Sequence, residues 1–120
     1  MPKKKLKPLL PSLREKKRYM AFEILSENNV DDVEAIEKGI FDSALKLLGE
    51  KGVAKAGIIM LKDKYNSQLK RGLIRLNNKE INNMRQSLAL IDKIDDQKVI
   101  FKTLGVSGIL KKAINKYITG

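Results

Sequence analysis

The sequence predicts an α+β plait: a four-stranded antiparallel sheet with two helices on one face, followed by a C-terminal helix. Three observations predict it. Segments of period-2 and period-3.6 hydrophobicity succeed one another in the order β-α-β-β-α-β. The chain has 120 residues, the size of one domain. It is 42% hydrophobic and 32% charged, a globular composition able to bury a core without disulfides or a structural metal.

Each element has its own signal. Residues 1–10 hold Lys3, Lys4, Lys5 and Lys7 among Pro2 and Pro8, and read as a basic flexible tail. Residues 11–120 read as a single domain. The first strand spans Tyr19 to Ser26, where Met20, Phe22 and Ile24 alternate with Tyr19, Ala21 and Glu23. Asp31 with Glu34 opens the first helix as a capping box, Val33, Ile36, Ile40, Ala44 and Leu47 form its stripe, and Gly49 and Gly52 end it. Val53 to Lys62 is the second strand. After a turn at Asp63–Ser67, Gln68 to Leu76 is the third, with Gly72, Ile74 and Leu76 on one face. Asn77 and Glu80 open a second helix, striped by Ile81, Met84, Leu88 and Ile91. Asp95-Asp96 turns the chain into a fourth strand, Lys98 to Leu104. Gly105-Val106-Ser107-Gly108 then breaks it, and Ser107 caps a last helix ending near Ile118. Two α–β units joined by a hairpin give the ferredoxin-like, RRM-like plait.

Charge is the strongest functional signal. Lys and Arg number 25 against 14 acids, a net charge of +11, which favours a polyanionic partner. The excess is uneven. From Glu27 to Glu50 there are seven acids and two lysines, a local charge of −5, so the remainder carries +16. One element is unsuited to a phosphate backbone and the rest suits it. The chain has no Cys, His or Trp, which excludes thiol and imidazole catalysis and the usual zinc ligands. Its carboxylates are scattered, so no catalytic residue and no metal ligand is assigned. No apolar run approaches the ~20 residues of a membrane span, and the expectation is a cytoplasmic protein without a membrane partner.

The candidate RNA-binding residues follow from this distribution. Arg14, Lys16, Lys17 and Arg18 precede or begin the first strand, and Lys111, Lys112 and Lys116 lie on the last helix. Such point charges neutralise phosphates without reading sequence. Gly105, Ser107 and Gly108 form a small-residue turn at a helix start, a place where backbone N–H groups receive phosphate. Arg71, Arg75, Lys98 and Lys102 lie on the sheet face away from the two crossover helices. The third strand carries no aromatic residue there, which argues against base stacking of the RRM kind. Leu25, Leu73 and Ile100 give that face an apolar centre, to be covered either by a protein partner or by the last helix.

Several segments together resemble the archaeal ribonuclease P protein component 2 family: Pro11-Ser12-Leu13-Arg14-Glu15-Lys16-Lys17-Arg18-Tyr19-Met20-Ala21-Phe22-Glu23, Phe41-Asp42-Ser43-Ala44-Leu45 and Thr103-Leu104-Gly105-Val106-Ser107-Gly108. Gly72 to Asn77 and Ser87 to Ile91 extend the likeness. The resemblance implies a subunit of ribonuclease P, the ribonucleoprotein endonuclease that removes the 5′ leader of precursor tRNA. It implies that the RNA subunit holds Mg2+ and performs the hydrolysis, with no cofactor bound by the protein. It further implies ribonuclease P RNA and precursor tRNA as partners, and ribonuclease P protein component 3 in a heterotetramer of two copies each. The alternative is a structural ribosomal or general RNA-binding protein on the same fold.

Overall fold

The alternating run at the start of the domain becomes an interior strand of the sheet. The computed structural model describes residues 16–119; the Lys-rich tail and Arg14 lie outside the described residues. Along the chain come β1 (Lys17–Leu25), α1 (Val33–Ala56), β2 (Ile59–Met60), β3 (Arg71–Asn77) and α2 (Ile81–Ala89). A small hairpin of β4 (Lys93–Ile94) and β5 (Gln97–Lys98) follows, then β6 (Ile100–Ser107). Last comes α3 (Leu110–Ala113), which continues as a wider π turn over Ile114–Ile118. The main sheet has the order β2-β3-β1-β6, and every neighbouring pair is antiparallel. This is the expected plait.

The inner face of the sheet buries the residues that the alternation selects. Met20, Phe22, Ile24, Ile74, Leu76 and Phe101 pack under Ile36, Ile40 and Ala44 of α1 and Met84 and Leu88 of α2. The Phe22 and Phe101 rings stack at 5.4 Å between centroids. Gly72 makes room for them, since a Cβ there would stand 2.6 Å from the Phe22 ring. Phe22 is fully buried, and Phe22→Ala is expected to cost about 3–5 kcal/mol. Where α1 meets α2, the buried Ser43 hydroxyl donates to the Ser87 carbonyl at 2.5 Å. That bond satisfies a polar group inside an otherwise apolar stripe.

Five local expectations are corrected. Helix α1 does break at Gly49 (φ 74°), but it resumes and ends at Gly57, whose left-handed φ of 61° lets its N–H bond to the Val53 carbonyl at 3.2 Å. Val53–Ala56 is therefore helical, and the second strand shrinks to Ile59–Met60. An Ala-Lys-Ala run before glycine favours helix over strand. The cap of α1 is Asp32 rather than Asp31, accepting from Glu34 N–H at 3.1 Å and Ala35 N–H at 3.2 Å. Strand β3 starts at Arg71 rather than Gln68, because the Asn66 side chain holds the Gln68 and Leu69 N–H groups in a turn. Asn77 does not cap α2. Its amide is committed elsewhere, accepting from Lys17 Nζ at 2.5 Å and donating to the Lys55 carbonyl. Finally, Lys98 belongs to the small hairpin, turned by Asp95 and Asp96 at φ 50° and 65°, and the last strand runs from Ile100 through Ser107.

Candidate nucleic-acid interface

Antiparallel register arranges the outer face of the sheet in rows. One row is Ile59, Arg75, Tyr19 and Ser107, with Leu73, Ala21 and Gly105 in the next. Beyond them lie Arg71, Glu23 and Lys102, and finally Leu25 with Ile100. The last helix crosses the middle rows. Leu73, Ala21, Ala113 and Ile118 form a second buried cluster, closed by Tyr19, Leu104, Leu110 and Tyr117. Leu73 is thus covered by its own chain and is not an interface residue, whereas Leu25 and Ile100 remain exposed at 45% and 64%.

The helix also explains Gly105. A bulge in β6 leaves Leu104 between the Ala21–Gly105 and Phe22–Thr103 pairs. Tyr117 packs onto Gly105 so closely that a Cβ there would run into its hydroxyl. Gly105 serves ring packing, and the expected phosphate-cradling turn is not formed: Gly105–Ser107 are strand, and only Gly108 lies in the bend. The Ser107 hydroxyl accepts from the Ile109 N–H at 3.1 Å, ahead of a helix whose cap position, Ile109, makes no side-chain bond.

Two arginines on this face differ in their partners. Arg71 Nε lies 3.7 Å from Glu23 Oε2, and its Nη1 donates to the Tyr117 carbonyl at 3.2 Å. Arg71 fastens the end of the last helix, in place of the open RNA contact expected of it. Arg75, between Ile59 and Tyr19, has a buried Nε with no hydrogen-bond partner among the described residues.

Strand direction then segregates charge. Strand β1 begins where β3 and β6 end, since Lys17 pairs with Asn77 and Tyr19 with Ser107. Helix α1 ends at the same place, through the Asn77 bond to Lys55, and α3 begins there. Lys16, Lys17, Arg18, Lys55, Lys111 and Lys112 consequently gather at one end of the molecule. None of them forms an ion pair among the described residues. Arg18 lies against Gly108, whose added Cβ would sit 3.1 Å from the guanidinium. Lys55 escapes sequence reasoning because Val53–Lys62 reads as a strand; the signal that finds it is Gly57 as the helix stop. Three expected cations lie elsewhere. Lys102 is paired across the sheet with Glu23, Lys98 is in the hairpin opposite Lys93, and Lys116 stands beyond the helix start with its ammonium 5.5 Å from the Tyr117 ring.

The opposite end is acidic and partly apolar. Leu25 and Ile100 pair at the edge of a groove of about 750 Å3, whose walls carry Glu27, Asp92, Asp95 and Asp96 against Lys93 and Lys98. Nearby, Lys62 bridges Glu34 at 3.0 Å and Glu37 at 3.4 Å, and the Glu34 hydrogen bond leads in raising its pKa. Burial, helped by the Asp31 charge, pushes the Tyr65 hydroxyl up to about 12 while it donates to the Val30 carbonyl at 2.6 Å.

With this geometry in hand, the sequence profile of the Rpp14/Pop5 family matches residues 18–118. The chain belongs to the Rpp14/Pop5 family. A relative called ribonuclease P protein component 2 from Pyrococcus furiosus is 38% identical over 113 residues, covering 94% of this chain and 92% of that one. The protein of the same name from Methanosarcina mazei is 34% identical over 113 residues, covering 94% and 93%. The sequence resemblance thus holds over nearly the whole chain. Among solved structures, a chain from the cryo-EM structure of yeast ribonuclease MRP superposes with a TM-score of 0.59 at 16% identity, covering 79% of this chain and 76% of that one. That likeness concerns the fold.

Proposed function

We propose that this chain is a protein subunit of ribonuclease P, the ribonucleoprotein that removes the 5′ leader of precursor tRNA, and that it stabilises the catalytic RNA rather than performing the hydrolysis. Its relatives carry the name of that enzyme's second protein component, and its structural neighbour comes from a ribonuclease MRP structure. The observation that carries the mechanism is the cationic end. Lys16, Lys17, Arg18, Lys55, Lys111 and Lys112 meet there with no ion-pair partner among the described residues. Cations held this way neutralise phosphates where RNA strands converge and shift the RNA toward its compact conformation. Magnesium is assigned to the RNA in this reading, as the family resemblance implies. The protein partner, a component 3 subunit in a two-by-two heterotetramer, is assigned to the acidic end, where Leu25 and Ile100 are uncovered.

Reconstitution with the RNA that co-purifies from cells tests the reading. Sequencing is expected to return one discrete RNA, and replacing Lys16, Lys17 and Arg18 by Ala is expected to raise the magnesium needed for cleavage of precursor tRNA. An unchanged magnesium requirement and rate would remove the stabilising role. Recovery of ribosomal RNA alone would point to the ribosomal alternative.

A further inference from the structure

The outer sheet face has one corner that the last helix leaves open. Helix α3 starts over β1 and β6, and its π turn ends against β3 beside Arg71. This diagonal path leaves β2 and the far end of β3 aside, and Ile59 is 48% exposed there. In the open corner stands Arg75, flanked in register by Ile59 and Tyr19. Its Nε is withdrawn from water with no hydrogen-bond partner among the described residues. Burying a guanidinium nitrogen unpaired is costly, and such a group calls for an explanation.

A second cation stands next to it. Lys17 pairs with Asn77, so it is the diagonal neighbour of Arg75 on the same face, the two Cα positions of such a pair lying roughly 7–8 Å apart. Its ammonium is held by Asn77 Oδ1 at 2.5 Å. Two cations on neighbouring strands of one face raise the local potential that draws in an anion. Arg71, four residues back on the same strand, also has a buried Nε without a hydrogen bond, but its charge is answered by Glu23 at 3.7 Å and its Nη1 donates to the Tyr117 carbonyl. Among the described residues Arg75 has neither an ion pair nor a side-chain hydrogen bond.

We propose that Arg75 and Lys17 form a seat for one phosphodiester of an RNA strand, with the sugar and base lying against Ile59 and Tyr19. This inference rests on the RNA-binding function proposed above and gives it a defined contact. The planar fork of Arg75 grips two phosphate oxygens, Lys17 adds a point charge, and the apolar flanks favour a nucleotide over a bare ion.

NMR observation of the Arg75 Nε–Hε signal in the full chain tests the seat. The probes are a short single-stranded oligouridylate and inorganic phosphate, at equal concentrations of phosphate groups and low salt. The signal is expected to shift saturably with the oligonucleotide and to stay in place with phosphate. Arg75→Gln is expected to weaken oligonucleotide binding about tenfold and to lower the salt slope by about one. Arg75→Lys is expected to restore the slope without restoring the affinity, because it keeps the charge and loses the fork. Matching thermal melts of both variants exclude a folding loss, and the NMR titration of the unmodified chain stands without them. If the oligonucleotide binds while the Arg75 signal stays fixed and Arg75→Gln binds normally, the seat is overturned and the general function survives. If phosphate shifts the signal as strongly as the oligonucleotide, the assignment to RNA is overturned. If the chain ignores the oligonucleotide altogether at low salt, the function itself is overturned along with the seat.

Discussion

The two ends of the sheet are built from the same strands and have opposite chemistry. At one end β1 begins with Lys17 and Arg18, and α3 starts with Lys111 and Lys112. At the other end β1 stops at the exposed Leu25 beside Ile100, in a groove where Glu27, Asp92, Asp95 and Asp96 outnumber Lys93 and Lys98. Antiparallel connectivity makes this segregation possible, because it returns both β3 and β6 to the place where β1 starts. A modest set of charges placed by topology becomes a cationic surface that faces away from the acids. The lesson is that net charge alone understates the contrast; where each strand begins decides which surface can approach a polyanion.

The largest effect is expected from erasing one end. Replacing Lys16, Arg18, Lys111 and Lys112 together by Ala should lower RNA affinity by about 100-fold or more near physiological salt and reduce the salt slope by about three to four, measured by filter binding over a salt series. The matching change at the other end, Leu25→Glu with Ile100→Glu, is expected to leave RNA affinity unchanged while abolishing pull-down of the protein partner. Loss of RNA binding by that variant would dissolve the distinction between the ends. A smaller effect is expected where the last helix meets the sheet. Gly105→Val sets a branched side chain against the Tyr117 ring and should cost about 1–3 kcal/mol in urea unfolding. The smallest is a pH effect at the acidic end. Tyr65 holds its proton to about 12 in the folded chain, against 10.0 for an ordinary tyrosine. The unfolded chain therefore releases that proton first, and the stability it contributes is intact below pH 10 and declines as pH rises toward 12. Tyr65→Phe should flatten the decline between pH 10 and 12.

The inner half of the fold was legible in the sequence because strict alternation at Met20, Phe22 and Ile24, and at Ile74 and Leu76, allows only one buried face. The second strand was not, since Val53-Ala54-Lys55-Ala56 suits helix as well as strand and the deciding residue is Gly57, which stops the helix in a left-handed conformation. Lys55 was hidden by the same ambiguity. The convergence of Lys16–Arg18 with Lys111 and Lys112 is readable once the strand order is known, because both segments adjoin the same end of β1. Gly105 misleads for a physical reason. A glycine followed by Ser and Gly reads as a turn, yet here it stays in a strand to admit the Tyr117 ring from a helix 12 residues later in the chain. Leu73 reads as covered, but whether by a partner or by the last helix is decided only when that helix is placed across it.

The chain contains no cysteine, so a single introduced thiol can carry a tethered cleavage reagent to a chosen end. With the reagent on Lys111→Cys, the co-purified RNA in the reconstituted particle is expected to be cut at discrete sites; with it on Asp95→Cys, the RNA is expected to stay intact. Cutting from position 95 and silence from position 111 would contradict the account.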